Sequence, residues 1–493
     1  MVSMMKDTQI RAAVVGGGIA GMVAAWELVR AGVQVELYEA ADRLGGAIGT
    51  HQLAGVEFDA GAEAFATRSR AVPDLIQELE LQDQVVEPNA AGAWLQLPDC
   101  AAPLPATGIL GIPADPQARD VVRILGEGGA RRAAEDLKAS AEGWIRAAER
   151  GERPSLGAVV RDRMGEAVLR RLVTPIVSGV HSADPEDLDM ETAAPGLFEA
   201  MLREGSLAEA VAAQKAQAPA GAAVNSLAGG LSTLVTELET QLRERGVRVH
   251  PGCEIRDLQE LARDAGPPEH RPAGAEAMPD HVVLAVDGPA ALQLAGPVLA
   301  GSQTAPQSAD GVSAGRGVAL VSMVLHAPEL DSRPRGTGML VAPSASQVQA
   351  KAMTHVSAKW EWVSRRLRAG LGEGHHLVRL SYGRVTDDPA TGALGYASQE
   401  HQLREAAVED AGRLFGVELG GDQVLDSDVI RWRKALPQTS AGHRERTQAV
   451  RESLRRQRRA GGASVAVVGS WFAGTGLARV IPDARRTVAE LLG

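Results

Sequence analysis

Apolar residues along the 493-residue chain fall in short runs, in alternations and in helical stripes. Ile10, Ala12, Ala13, Val14 and Val15 form a short run, the pattern of a strand buried on both faces of a parallel sheet. Residues 19–31 contain no proline and stop at Gly32, which predicts a helix. Val33, Val35 and Leu37 alternate with polar residues, so a second strand ends near Glu39. Apolar runs at 281–286 and 464–468 predict two more buried strands, and 247–250 a short one after a helix at 232–244. Ile255 is expected on a further short strand. The runs 318–325 and 377–382, with 338–341 between them, predict an antiparallel sheet followed by a helix at 398–415. A helix opens at Pro73, which suits the first turn, and 115–137, 139–150 and 161–180 read as helical, with Ser155 capping a helix of its own. Pro482 and Asp483 are expected to open the terminal helix.

Between these elements lie a proline-rich stretch at 86–115, a Pro-rich loop at 264–279 and a polar link at 301–316. The chain therefore divides into a discontinuous region of residues 1–85, 225–300 and 418–493, a mainly helical insertion over 86–224, and a third region over 301–417. The length alone favours two or three domains.

Composition narrows the function. A net charge of −11 argues against nucleic acid, which needs a basic face. Cys100 and Cys253 are the only cysteines, too few and too far apart for a disulfide framework or a CxxC metal site. The first residues carry no apolar signal core, and no run of 18 apolar residues exists, so a reducing cytoplasm is the simplest home. Residues 444–459 hold seven arginines against two glutamates. They read either as a patch for a membrane or protein partner or as the solvated face of a helix. Ala449, Val450 and Leu454 already supply a core stripe and favour the second. His181, His355, His375 and His376 show no metal-ligand spacing and read as surface or core residues.

The sharpest chemistry follows the first strand. Gly16 lets the chain turn, Gly18 leaves room for a diphosphate, and Gly21 lets the helix pack close to the sheet. The N–H groups at the helix start then hold the diphosphate. Glu39, 18 residues beyond Gly21, stands where an acid can bond a ribose. Arg43-Leu44-Gly45-Gly46 adds a second glycine pair that a plain NAD domain does not need.

The segments VVGGGIAG, EAADRLGGAI, PLPATGILGIP, RLVTPIVSGVHSADPEDLD, SLAGGLSTLV, RWRKALPQTSAGH and AGTGLARVIPDARR run from residue 14 to 486. In that order they resemble the bacterial FAD-dependent porphyrinogen oxidases of haem synthesis, in particular the coproporphyrin-forming coproporphyrinogen III oxidases. The resemblance implies an α/β fold: a Rossmann-type FAD-binding domain of the amine oxidase and porphyrinogen oxidase superfamily, an α+β substrate domain and an inserted helical domain. It implies FAD as cofactor, a tetrapyrrole substrate and oxygen as acceptor, with three two-electron steps and no catalytic side chain. Gly16, Gly17, Gly18, Ile19, Ala20 and Gly21 would then hold the diphosphate, Glu39 and Ala40 the ribose, and Arg43 and Gly46 the adjoining loop. Ala47 and the turn Ala60, Gly61, Ala62 and Glu63 would line the flavin. Ile255 would meet the adenine through its backbone, Trp432 would pack on the cofactor, and Val480, Ile481 and Pro482 would sit at the ring. Arg70 would anchor a substrate propionate, with Arg68 as its competitor. The turn reads Gly-Ala-Glu where relatives often have Gly-Pro-Asp, and extra residues precede Ile481. Protoporphyrinogen oxidase, a flavin amine oxidase and a tetrapyrrole carrier are the alternatives. An amine oxidase wants an aromatic cage, and the chain has only Tyr38, Tyr382 and Tyr396 as tyrosines.

Overall fold

A computed structural model describes residues 10–67, 69–105, 108–181, 183–217, 223–263, 278–300, 316–384, 387, 389–436 and 443–493. Arg68, most of the 264–279 loop, the 301–315 link and residues 437–442 of the RWRKALPQTSAGH segment lie outside them.

The first strand, Arg11–Val15, is the centre of a five-stranded parallel sheet in the order Arg248–His250, Gln34–Tyr38, Arg11–Val15, His281–Leu284, Val465–Val467. Its residues serve both faces, which explains the unbroken apolar run. Ala12 and Val14 enter a core shared with the helices Ile19–Arg30, Ser232–Glu244 and Leu477–Leu492. Ala13 and Val15 enter the opposite core, with Leu292 and Leu454 from the helices Gly288–Leu299 and His443–Arg459. Segments far apart in the chain therefore build one sheet.

The expected antiparallel strands belong to a larger, mixed sheet, in which Gly338–Val341 and Ala93–Gln96 run parallel. Seven strands run in the order Val424–Leu436, Arg316–His326, His375–Tyr382, Ala352–His355, Gly338–Val341, Ala93–Gln96, Ala101–Pro103. Two boundaries move as a result. The strand Val424–Leu436 pairs along Arg316–His326, so the third region runs past 417. The strands Ala93–Gln96 and Ala101–Pro103 close the far edge, although they fall within the expected helical insertion. Neither strand alternates cleanly, because both are short or lie partly outside the apolar core. One sheet face packs on helix Glu400–Phe415, and the other meets Phe58, Trp360 and Trp362.

The helices between 119 and 216 gather around a core of their own. Arg163 is buried among these helices, donating to Asp136 at 2.5 Å and to the Gly205 carbonyl at 2.7 Å. Ser155 caps helix Leu156–Met164 by accepting from the Ala158 N–H at 3.1 Å, as expected. No strand forms around Ile255; those residues are irregular. The terminal helix begins at Leu477, with Pro482 inside it.

Candidate functional site

The site lies where the first strand ends. Gly16 takes φ +106°, a left-handed conformation that favours glycine, and its N–H bonds the Tyr38 carbonyl at 2.7 Å. A Cβ on Gly16 would stand 2.5 Å from the Ala285 carbonyl oxygen, and one on Gly21 would strike the Gly16 carbonyl. These two glycines let the helix Ile19–Arg30 start tight against the sheet. Gly18 differs: its φ is −67°, and a Cβ there would find nothing nearer than the Gly46 Cα at 3.9 Å. Its missing side chain leaves space that no protein atom fills.

The second glycine element forms the facing wall. Gly45 bridges Gly18, and its N–H bonds the Gly17 carbonyl at 2.9 Å. Arg43 folds over this loop, donating to the Leu44, Ile48 and Gly46 carbonyls, so it shapes the wall rather than pointing into the opening. Glu39 closes the end, accepting from the Gly17 N–H at 2.6 Å and the Ala41 N–H at 2.8 Å. Each carboxylate oxygen keeps lone-pair capacity for a sugar hydroxyl. Ala40, Gly46, Ala47 and Ala62 are exposed, and Ile19 is half-buried, whereas Gly17 and Ala20 are buried in the turn and the helix. The Cys253 N–H bonds the Glu39 carbonyl at 2.8 Å, which brings the backbone before Ile255 alongside the acid. The Ile255 side chain itself is buried beside Tyr38.

The turn 60–63 continues the opening. The Ala60 N–H bonds the Gly49 carbonyl at 2.7 Å. A Cβ on Gly61 would lie 2.8 Å from the Trp432 ring and 2.9 Å from the Ala47 carbonyl oxygen. Trp432 therefore packs directly on this turn from the seven-stranded sheet. Glu63 accepts from Lys359 at 2.7 Å and also pairs with Arg379. Burial alone would raise the pKa of Glu63; the two cations outweigh it and hold the carboxyl at about 2. Asp59 shows the opposite balance. Burial outweighs its bonds from the Leu231 and Ser232 N–H groups and pushes it up to about 6. Lys359 and Arg379 escape sequence reading because they meet Glu63 across separations of 296 and 316 residues, with no local pattern to mark them.

Val480 and Ile481 are core side chains, 5% and 0% exposed, because the terminal helix starts earlier than Pro482. The part of this helix that opens outward is its start, at the exposed Thr475 and Gly476, while Pro482 is half-buried inside the continuing helix. Arg70 precedes helix Ala71–Glu78 with its side chain 82% exposed and pairs with Asp74 at 3.1 Å, one turn on. Its ion-pair partner lies on its own helix. His355 is fully buried, 3.0 Å from His376, which in turn meets Asp331 at 3.0 Å. Among the described residues no group of His, Cys, Asp and Glu could hold a metal ion.

The open Gly18 face, the opposed Gly46, and Glu39 at the end of a parallel strand fit the diphosphate and ribose of FAD. Such a fold and site define a flavin-dependent oxidoreductase. The chain belongs to the flavin containing amine oxidoreductase family, whose pattern matches residues 19–492. Within it, the chain is 30% identical over 489 residues to coproporphyrinogen III oxidase of Mycobacterium tuberculosis H37Rv, covering 97% of this chain and 96% of the relative. It is 31% identical over 484 residues to the Mycobacterium leprae enzyme of that name, covering 97% of each. The Bacillus subtilis coproporphyrinogen III oxidase matches at 23% over 506 residues, covering 99% of both. In three dimensions, a crystal structure from Exiguobacterium sp. 255-15 ascribed to protoporphyrinogen oxidase superposes with a TM-score of 0.76 at 24% identity, covering 98% of this chain and 99% of the other. Reduced UDP-galactopyranose mutase shares the fold at a TM-score of 0.66 and 14% identity, covering 98% and 94%.

Proposed function

We propose that this chain is an FAD-dependent oxidase that converts coproporphyrinogen III to coproporphyrin III in haem biosynthesis. The observation that carries the reading is the pair of glycine elements, at Gly18 and Gly46, facing each other across an open cleft closed by Glu39. The near full-length likeness to coproporphyrinogen III oxidases names the substrate. When bound, FAD supplies a two-electron acceptor that oxygen can restore. Loss of six electrons and six protons from the porphyrinogen then reduces three oxygen molecules to hydrogen peroxide.

The chain's own residues bind and orient. The helix start at Ile19 directs N–H groups and the positive end of its dipole at the diphosphate. Glu39 takes the ribose, and the turn 60–63 with Trp432 lines the flavin. The start of helix Leu477–Leu492, rather than Val480 and Ile481, serves the ring. We assign the parallel sheet and its helices to the cofactor, the seven-stranded sheet to the substrate, and the helices of 119–216 to the insertion that covers it. An amine oxidase reading fits less well, because Tyr38 and Tyr382 are buried in separate cores and cannot form a cage. Among the described residues no helix is long and apolar enough to cross a membrane.

The test is aerobic turnover of coproporphyrinogen III and protoporphyrinogen IX side by side, followed by porphyrin fluorescence over the uncatalysed rate. Faster oxidation of coproporphyrinogen is expected. Preference for protoporphyrinogen would reassign the substrate, and turnover of neither would overturn the reading.

A further inference from the structure

The segment SLAGGLSTLV, residues 226–235, runs into the first turn of helix Ser232–Glu244 and is tied to strand Val56–Asp59 through one carboxylate. Asp59 is buried, 4% exposed. Its Oδ2 accepts from the Leu231 N–H at 2.9 Å and its Oδ1 from the Ser232 N–H at 3.2 Å. Gly230, at φ +106°, makes this approach possible, since a Cβ there would stand 2.8 Å from Oδ1. The partial positive charge of the helix start favours an ionised acid at this place.

The backbone of Asp59 is fixed from the other side. It pairs with Thr50, its carbonyl accepts from Arg379 at 2.8 Å, and the next N–H, that of Ala60, bonds the Gly49 carbonyl at 2.7 Å. The helix that Asp59 holds reaches the second glycine element within its first turn. Val235 is buried against Gly45, where a Cβ would stand 3.0 Å from Val235 Cγ1. The Gly45 N–H bonds the Gly17 carbonyl at 2.9 Å, and Gly45 bridges Gly18. A path of direct contacts therefore runs from the Asp59 carboxylate to the wall that faces Gly18.

We infer that Asp59 is a positioning residue for the cofactor: its ionised carboxylate, acting through the start of helix Ser232–Glu244, sets the second glycine wall at the spacing from Gly18 that FAD needs. This deepens the proposed function and rests on its placement of the diphosphate between Gly18 and Gly46. An ionised carboxylate offers an acceptor to each of the two N–H groups. A protonated one turns one oxygen into a hydroxyl and holds the helix start less well. Burial pushes the Asp59 carboxyl up to about 6 against those two bonds, with Glu63 adding to the rise and Arg379 opposing it. The other charges around it are Lys359, paired with Glu63, and Arg366, which donates to the Glu57 carbonyl at 3.2 Å and lies beside Gly229. Glu63, held at about 2, stays ionised between pH 7 and 5, so Asp59 is the acid of this cluster that titrates there.

The experiment is calorimetric titration of FAD into the flavin-free full chain at pH 7 and pH 5, for wild type, Asp59→Asn and Val235→Ala, with thermal melts of the same proteins. A carboxyl that titrates near 6 and must be ionised should weaken wild-type binding about tenfold between the two pH values. Asp59→Asn should bind at both with the affinity of wild type at pH 5. Val235→Ala, which withdraws the side chain from Gly45, should show a smaller pH response than wild type. A carboxyl whose folded pKa lies above its ordinary value stabilises the fold as pH falls, so wild-type Tm should rise relative to Asp59→Asn while its FAD affinity falls. A cap with only a structural role would move affinity and Tm together, and that result overturns the inference. So does a wild-type affinity that is the same at both pH values, or a full pH response in Asp59→Asn. Should Asp59→Asn fail to fold, the comparison of wild type with Val235→Ala decides, and equal responses overturn the inference. Wild-type protein that binds no FAD at either pH would instead refute the reading on which the inference rests.

Discussion

Substitution of Gly18 separates cofactor binding from folding. At Gly16 and Gly21 a side chain would collide with backbone, and at Gly16 it would also face a positive φ, so loss of flavin there could reflect a damaged fold. At Gly18 the backbone is extended, φ −67° and ψ 171°, which a β-branched residue adopts without strain. The nearest protein atom to an added Cβ is 3.9 Å away. Gly18→Val should therefore cost the apoprotein only the difference between glycine and an apolar residue at a helix N-cap, roughly 0.5–1 kcal/mol. In a chain of this size that moves the apoprotein Tm by no more than about 2–4 °C. The isopropyl group would stand where the diphosphate approaches the backbone. Pushing the phosphates off two N–H groups removes two charge-assisted hydrogen bonds, about 1.5–3 kcal/mol each. The sum, about 3–6 kcal/mol, corresponds to a loss of FAD affinity of roughly a hundredfold to ten-thousandfold. The assay pairs FAD titration by calorimetry with thermal melts of the flavin-free proteins. Stoichiometric flavin in Gly18→Val would place the diphosphate elsewhere. An apoprotein as destabilised as Gly21→Ala would show that the open space at Gly18 is misjudged.

Three further outcomes follow from the same geometry. Gly61→Ala should lower Tm by overpacking against Trp432, roughly 1–3 kcal/mol, and Gly61→Ala with Trp432→Leu should recover part of the loss in a double-mutant cycle followed by thermal melts. Arg70→Ala should leave kcat/KM for coproporphyrinogen III within about twofold of wild type, since the side chain is exposed and tied to Asp74; a tenfold fall would return it to the substrate site. Burial lowers the His355 pKa from 6.5 to about 3, so the unfolded chain takes up the proton first and stability is lost as pH falls through that window. His355→Leu should flatten Tm against pH between 6.5 and 3, and an acid limb identical to wild type would discount this histidine.

Much of the site was legible before any fold was seen, and the reason is local. The turn at Gly16, the open Gly18 and the close packing at Gly21 lie within six consecutive residues, and Glu39 is reached by one helix and one strand. Short-range steric rules and strand periodicity therefore suffice. The strand expected at Ile255 does not form, because a single apolar residue beside a turn carries no period. The terminal helix forms but starts earlier than expected, because Pro482 looks like a helix opener and here lies inside a helix that packing holds in place. Here Val480, Ile481 and Ala484 anchor that helix in the core against Ile19–Arg30.

What the sequence alone determined is the class: a dinucleotide-binding strand, turn and helix with a second glycine loop, and a chain-long likeness that names the chemistry. Only the tertiary structure decided which side chains meet. Arg70 is exposed and pairs with Asp74, one turn along its own helix, at 3.1 Å. Lys359 and Arg379 came to Glu63 because the seven-stranded sheet, completed by strands from both ends of the chain, packs against the turn 60–63. Ion pairs across some 300 residues depend on the relative placement of two sheets. No periodicity records that placement, because it is set by the summed packing of their cores.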